Sequence, residues 1–225
     1  MLFVRHRRAR RYILRVLPDG TVRVTLPRWG AKRDAQAFLD ASQDWVRRQL
    51  ERRAARPVHD DAWRHGTGVL VDGVIRALRV APTADGACVW CGDELIGRTP
   101  SSSSGDLRPL VEAWLADRAR RELPAALFAL ARQQGIDVSR VSVRNQRSRW
   151  GACSPTGTIT LNWRLVQTPP FVREYVLLHE LMHRRELNHS RRFWRLIAAC
   201  CPRNVDARRW LRTEGKSLWS DSDWR

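Results

Sequence analysis

Three of the chain's six histidines fall within eleven positions, at His179, His183 and His189, and this cluster restricts the fold more than any other feature of the sequence. The first two belong to the pentad His179-Glu180-Leu181-Met182-His183, an H-E-x-x-H pattern. On a helix its outer residues sit one turn apart, so both imidazoles leave the same face. Glu180 then lies about 100° around the helix, beside a shared ion rather than on it. His189 cannot join them on a straight helix, which would carry it about 15 Å along the axis from His179. The chain must therefore turn back. Asn188, a residue tolerant of left-handed backbone, is the expected end of the helix. Ser190 is placed to cap the next one, running through Phe193, Trp194, Leu196 and Ile197. Upstream, Thr168 can cap the first helix and Pro169 suits its first turn, with Val172, Val176, Leu177, Leu181 and Met182 directed to a core.

The chemistry follows from the ligand count. Three imidazoles suit zinc, and three protein ligands leave one tetrahedral position open, the catalytic pattern; a structural site recruits a fourth Cys or His. Glu180 is where a general base for an attacking water is wanted. Hydrolysis also needs a group facing the developing oxyanion. Tyr175, one turn before His179, is one candidate and Arg147 or Arg149 another; the alternatives are a core tyrosine and arginines in surface ion pairs. Glu186 is either an acceptor for a histidine N–H or an exposed carboxylate. Trp150 reads as a packing residue beneath the site.

Charge speaks to partners. The net charge is +18, and almost all the basic residues are arginine, with lysine only at Lys32 and Lys216. Residues 1–60 hold fifteen basic against six acidic side chains. Arginine forks onto phosphates, so nucleic acid is one reading, and a solvated basic surface is the other. No apolar run is long enough to span a membrane, and the arginine-dense start lacks the apolar stretch of a secretory signal, so a cytoplasmic protein is expected. The five cysteines, odd in number and with Cys200 beside Cys201, read as free thiols of a reducing compartment. Cys88 and Cys91 form a lone C-x-x-C better suited to a hairpin strand than to a metal or redox pair.

Along the chain, residues 11–27 read as a hairpin about Pro18-Asp19-Gly20, with Val22, Val24 and Leu26 alternating against Arg23 and Thr25. A helix is expected over 34–53, with Ala37, Phe38, Ala41, Trp45, Val46 and Leu50 as its apolar set, then short strands over 66–98 broken at Asp72-Gly73 and Asp85-Gly86. The Ser-rich run at 99–106 is the expected linker between a β-rich region, 1–98, and a second domain, 107–225. That domain opens with a helix to about Gly135, which Pro124 should kink or split. A strand over 138–144, a loop over 147–154 and a strand over 158–163 follow. The last is either an internal strand or an edge that pairs with an extended peptide. The tryptophans at 194, 210, 219 and 224 are expected to seal C-terminal helices.

Several of these motifs occur together in an order that carries a resemblance. Arg147-Ser148-Arg149-Trp150-Gly151-Ala152-Cys153-Ser154, Gly157-Thr158-Ile159-Thr160-Leu161-Asn162, the H-E-x-x-H pentad, Asn188-His189-Ser190 and Phe193-Trp194 resemble the YgjP-like metallopeptidase family, itself similar to the SprT and WLM zincin-type proteases. The resemblance is strongest over 140–200. It implies an α+β fold with a zincin-like catalytic domain, zinc on His179, His183 and His189, Glu180 as general base, and peptide or protein substrates. Ala152, where a serine is expected, is a small departure. Metzincins are disfavoured: Glu186 stands where they carry glycine, and the only methionines, Met1 and Met182, leave no downstream methionine turn. Glu214 is available as a thermolysin-like third ligand, but His189 is the simpler choice. A different class of function stays open, in which a nucleic-acid-associated protein uses the zinc domain on DNA-bound proteins or not catalytically.

Overall fold

A computed structural model describes residues 1–17, 19–54, 62–100 and 105–219. Pro18, the serines at 101–104 and Trp224 lie outside the described residues. The described residues form six α-helices and ten strands in three small sheets, an α+β fold. Contacts divide the chain into two units, one within 1–61 and the other within 62–220.

In the first unit, strands β1 (Leu2–Arg5), β2 (Ile13–Val16) and β3 (Val22–Leu26) form a sheet of order β1-β3-β2. β1 runs parallel to β3 and β2 antiparallel to it. Val22, Val24 and Leu26 are buried, as their alternation requires. The hairpin turn is held by the Asp19 carboxylate, which accepts from the Thr21 N–H at 2.8 Å, and by Gly20 at φ 81°. The helix expected over 34–53 is two helices, α1 (Lys32–Ala41) and α2 (Gln43–Ala54), broken at Ser42. The break shifts the helical phase. Ala35, Leu39 and Val46 face the core, while Ala37, Phe38, Ala41, Trp45 and Leu50 are exposed. A three-stranded sheet covers only a narrow strip of helix, so most of the expected apolar set stays outside.

In the second unit, β4 (Gly68–Val71), β5 (Val74–Thr83), β6 (Gly86–Cys91) and β7 (Glu94–Thr99) make an antiparallel meander. Cys88 and Cys91 lie on β6, the hairpin strand expected; three residues apart, they point to opposite faces. All five cysteines are free thiols. Val69, Val71, Leu78, Val89 and Cys91 share one core with the long helix α3 (Arg108–Gln134). The division between units therefore falls at 61/62, and the sheet that precedes the Ser-rich segment packs with the helices that follow it.

Pro124 sits inside α3, which nonetheless continues as one helix of 27 residues. Its buried stripe, Val111, Leu115, Ala119, Leu123, Leu127 and Ala131, explains why. Three fully buried leucines at about 1.5–3 kcal/mol each outweigh the roughly 3 kcal/mol that an interior proline costs. The third sheet has order β8-β10-β9, from β8 (Arg140–Arg144), β9 (Gly151–Cys153) and β10 (Thr158–Asn162). β10 pairs on both sides, so it is an internal strand, and β8 and β9 are the edges.

The β4–β5 turn is tied to the helices by charge. Asp72, at φ 52°, accepts from Arg118 at 2.6 Å and from Arg173. Glu122 accepts from Arg118 at 2.6 Å and from Arg173 at 3.4 Å. Burial pushes the Asp72 carboxyl up, but its hydrogen bonds and charges with the two arginines outweigh that, and the net shift is downward. A carboxyl held below its ordinary 3.8 adds stability that is complete above that pH and lost as pH falls through the folded-state value. Asn tolerates the left-handed turn, so Asp72→Asn isolates the charge. Urea denaturation at pH 7 is expected to show a loss of about 2 kcal/mol, less than for a fully buried pair. The gap between variant and wild type should close toward pH 2; a gap independent of pH would assign the loss to packing instead.

Candidate metal centre

The pentad lies on α4 (Pro170–Met182), with His183 as its C-cap, still in right-handed helical conformation. The start differs from the sequence expectation by one residue. Pro169 is the N-cap and Pro170 the first helical residue, while the Thr168 hydroxyl donates to Leu165 O at 2.8 Å and closes the preceding 3-10 turn. The end differs by more. The helix stops at Met182, not near Asn188, and Asn188 is not left-handed. The chain tightens instead through N–H bonds from Arg184 to Leu181 O and from Glu186 to Met182 O, both 2.9 Å. Ser190 does cap α5 (Arg191–Cys200), accepting from the Phe193 N–H at 3.3 Å. Between the two helices the chain doubles back and returns His189 to the other histidines.

His179 Nε2 and His189 Nε2 are 3.0 Å apart, and one ligand atom from each of His179, His183 and His189 falls within 4.8 Å of the others. Tetrahedral zinc with Zn–N of about 2.1 Å separates its nitrogens by about 3.4 Å, so small side-chain adjustments close the set. Among the described residues these three histidines are the group able to hold a metal ion. Two of the distal nitrogens have partners. His183 Nδ1–H donates to Glu186 O at 3.1 Å, which leaves its Nε2 lone pair free. Glu186 thus meets a histidine through its backbone carbonyl rather than its carboxylate. His179 Nδ1 lies 3.3 Å from the buried Tyr175 hydroxyl. Tyr175 therefore meets His179 on the ring nitrogen that does not face His189, and burial raises its hydroxyl to about 12.

Phe193, fully buried, is the common floor. Its ring stacks on His183 at 4.6 Å and meets His179 and His189 edge-on at 4.9 Å. Trp194 stacks on His189 at 5.8 Å, and the Arg208 guanidinium lies over Trp194 at 4.3 Å. Arg208 comes from α6 (Asn204–Thr213) and has no carboxylate partner among the described residues. Burial, then His183, His189 and Arg208, push His179 down to about 3, so its imidazole is neutral at pH 7, as ligation requires.

Glu180 is 6% exposed, and burial raises its carboxyl to about 7, with Arg149 opposing the rise. It lies against edge strand β9: a Cβ added at Gly151 would come within 2.6 Å of Glu180 Cγ and Oε1. The loop before β9 is pinned by buried Asn162, whose Nδ2 donates to Gln146 O at 2.8 Å and Arg149 O at 3.1 Å. Arg147 and Arg149 are exposed on that loop. Trp150 packs edge-on against Trp219 at 4.2 Å, and Trp194 and Trp210 pack on the core, as the sequence suggested.

Sequence reasoning placed the three histidines and Glu180 but missed the roles of Phe193, Gly151 and Arg208. Phe193 had a signal, an inward aromatic one turn into a helix capped right after His189. Gly151 and Arg208 had none, since each acts through a contact made across the fold.

The family model described as YgjP-like, metallopeptidase domain, matches residues 10–214. No curated protein and no solved structure matches the chain.

Proposed function

We propose that this chain, which belongs to the YgjP-like metallopeptidase family, is a zinc-dependent peptidase that uses Glu180 as its general base. The observation that carries the reading is the convergence of three imidazole nitrogens beside a buried carboxyl. His179, His183 and His189 would hold the ion. Zinc, when bound, supplies Lewis acidity, lowering the pKa of a water from 15.7 toward about 7 and polarising a carbonyl.

Glu180 takes the proton of the attacking water and returns it to the leaving amine. A carboxyl near 7 is matched to both transfers at neutral pH. Arg149 keeps that carboxyl from rising further. Arg208, which lies near His179 and has no carboxylate partner among the described residues, meets the charge that develops on the carbonyl oxygen, in place of Tyr175. The free edge of β9 pairs with an extended peptide through backbone hydrogen bonds, which favours unfolded segments over a particular sequence.

Hydrolysis of an unfolded reporter polypeptide is the test. Activity should disappear on chelation and return with stoichiometric Zn²⁺; metal-independent cleavage, or none after loading, rejects the proposal. Gly151→Ala sharpens it. The added methyl meets the Glu180 side chain from Cγ to Oε1, so that side chain must shift and the carboxylate moves. A displacement near 1 Å costs about 10²-fold in rate. We expect kcat/KM to fall by about that factor with zinc content unchanged.

A further inference from the structure

We propose that the N-terminal unit carries a binding site for single-stranded nucleic acid, formed at one end of its three-stranded sheet. The topology brings two loops there. Because β1 runs parallel to β3 and β2 antiparallel, the loop leaving β1 and the loop leaving β3 emerge at the same end. Arg5 Nη1 ties them, donating to Arg28 O at 2.5 Å.

Between the loops lies an open cleft of about 900 Å³ lined by Arg7, Arg8, Arg10, Arg28 and Trp29. Trp29 is 85% exposed, with the Arg28 guanidinium 4.7 Å over its ring. Tyr12 joins this cleft to a second, of about 380 Å³, that holds Arg11, Phe38 and Trp45. Phe38 and Trp45 are the exposed aromatics of the two helices, 36% and 39% accessible. Arg7, Arg8, Arg10 and Arg11 have no carboxylate partner among the described residues. Asp34, near the junction, faces the Tyr12 hydroxyl at 3.4 Å.

A continuous track results, in which guanidinium groups with no carboxylate partner among the described residues alternate with aromatic faces. The occupant must offer repeated anions and flat apolar rings. A single strand does both: arginines neutralise its phosphates while unstacked bases lie on Trp29, Phe38 and Trp45. A duplex hides its base faces. A membrane surface requires cations and tryptophan on a protruding face, whereas these line clefts. The inference does not depend on the peptidase reading, because every residue in it lies outside the metal centre.

The test is fluorescence anisotropy of a labelled single-stranded oligonucleotide with the full chain across a salt series. Five arginines predict a slope of log K against log salt down to about −3.5, at about −0.7 per phosphate neutralised. Substituting alanine at Arg7, Arg8 and Arg10 together should flatten the slope by about 2. Trp29→Ala should weaken single-strand binding about tenfold or more and leave any duplex binding unchanged. All four side chains are exposed, so the variants should melt as wild type does. Absence of binding at low salt, equal binding by the triple variant, or partition onto phosphatidylserine vesicles without oligonucleotide binding overturns the proposal.

Discussion

Glu180→Gln is expected to lower kcat/KM for peptide hydrolysis by about 10³-fold or more with the metal retained, because general-base catalysis contributes about 10²–10⁴-fold and the amide cannot accept a proton. The substitution keeps shape and volume, and among the described residues the metal-holding group is the three histidines. Gly151 leaves no room for a bulkier probe at this contact, so the isosteric change is the informative one. Stability should move the other way. A carboxyl raised from 4.5 to about 7 by burial binds a proton more tightly in the folded protein, so stability falls as pH rises between those values. Glutamine removes that penalty. Metal-free Glu180→Gln is therefore expected to melt no lower than metal-free wild type at pH 8, with the difference shrinking toward pH 4.5. Full activity in this variant, measured at matched zinc content, would sink the mechanism.

The elements that could be read from the chain are those whose periodicity and burial coincide. Val22, Val24 and Leu26 alternate and are buried, and Asp19-Gly20 closes their hairpin locally. The first helical region misled because its apolar residues outnumber the positions that a three-stranded sheet covers. Phe38, Trp45 and Leu50 have helical spacing but remain outside, and the core takes Ala35, Leu39 and Val46. The Ser-rich segment suggested a boundary from composition, yet a boundary is set by which apolar faces meet. Val69, Leu78 and Val89 meet α3, and no local property of either segment announces that. Pro124 likewise carried a local penalty that the buried stripe of α3 overrides.

At the site, the legible part was the part encoded by helical geometry. Two histidines four residues apart share a helix face in any helix, and the requirement for a reversal before His189 follows from rise per residue alone. The location of the reversal did not follow. It was expected at Asn188, but the helix ends at Met182 through bonds made by Arg184, Arg185 and Glu186, residues with no left-handed preference. That earlier end frees the Glu186 carbonyl to take the His183 Nδ1–H. The strand Thr158–Asn162 could equally have been an edge or internal, since alternation is the same for both; β8 and β9 flank it and leave Gly151–Cys153 as the edge beside Glu180. Buried Arg164 was invisible as well. Its Nε donates to Leu218 O at 2.8 Å, a partner 54 residues away.

His189→Ala is the second large effect expected, and it tests the reversal itself. His189 is the exposed member of the cluster, outside both helices, so its loss removes a ligand without opening the core. His179 and His183 alone leave two nitrogens on one helix face. Losing an outer hydrogen bond to a ligand costs about 10–100-fold in metal affinity, and losing a ligand costs more. Zinc content after dialysis should drop from about one per chain to near none, with activity at background. A ligand present at 100 times its dissociation constant stabilises by about 2.7 kcal/mol, so zinc should raise the wild-type melting temperature and leave that of His189→Ala unmoved. The metal-free forms should melt alike, which separates a lost ligand from a lost fold. Glu214, the thermolysin-like alternative, supplies the counter-test: it ends α6 and stands outside the three-histidine group. Zinc retained by His189→Ala but lost by Glu214→Gln would transfer the third ligand to that helix. It would also mean that the chain doubles back after Met182 for a reason other than the metal.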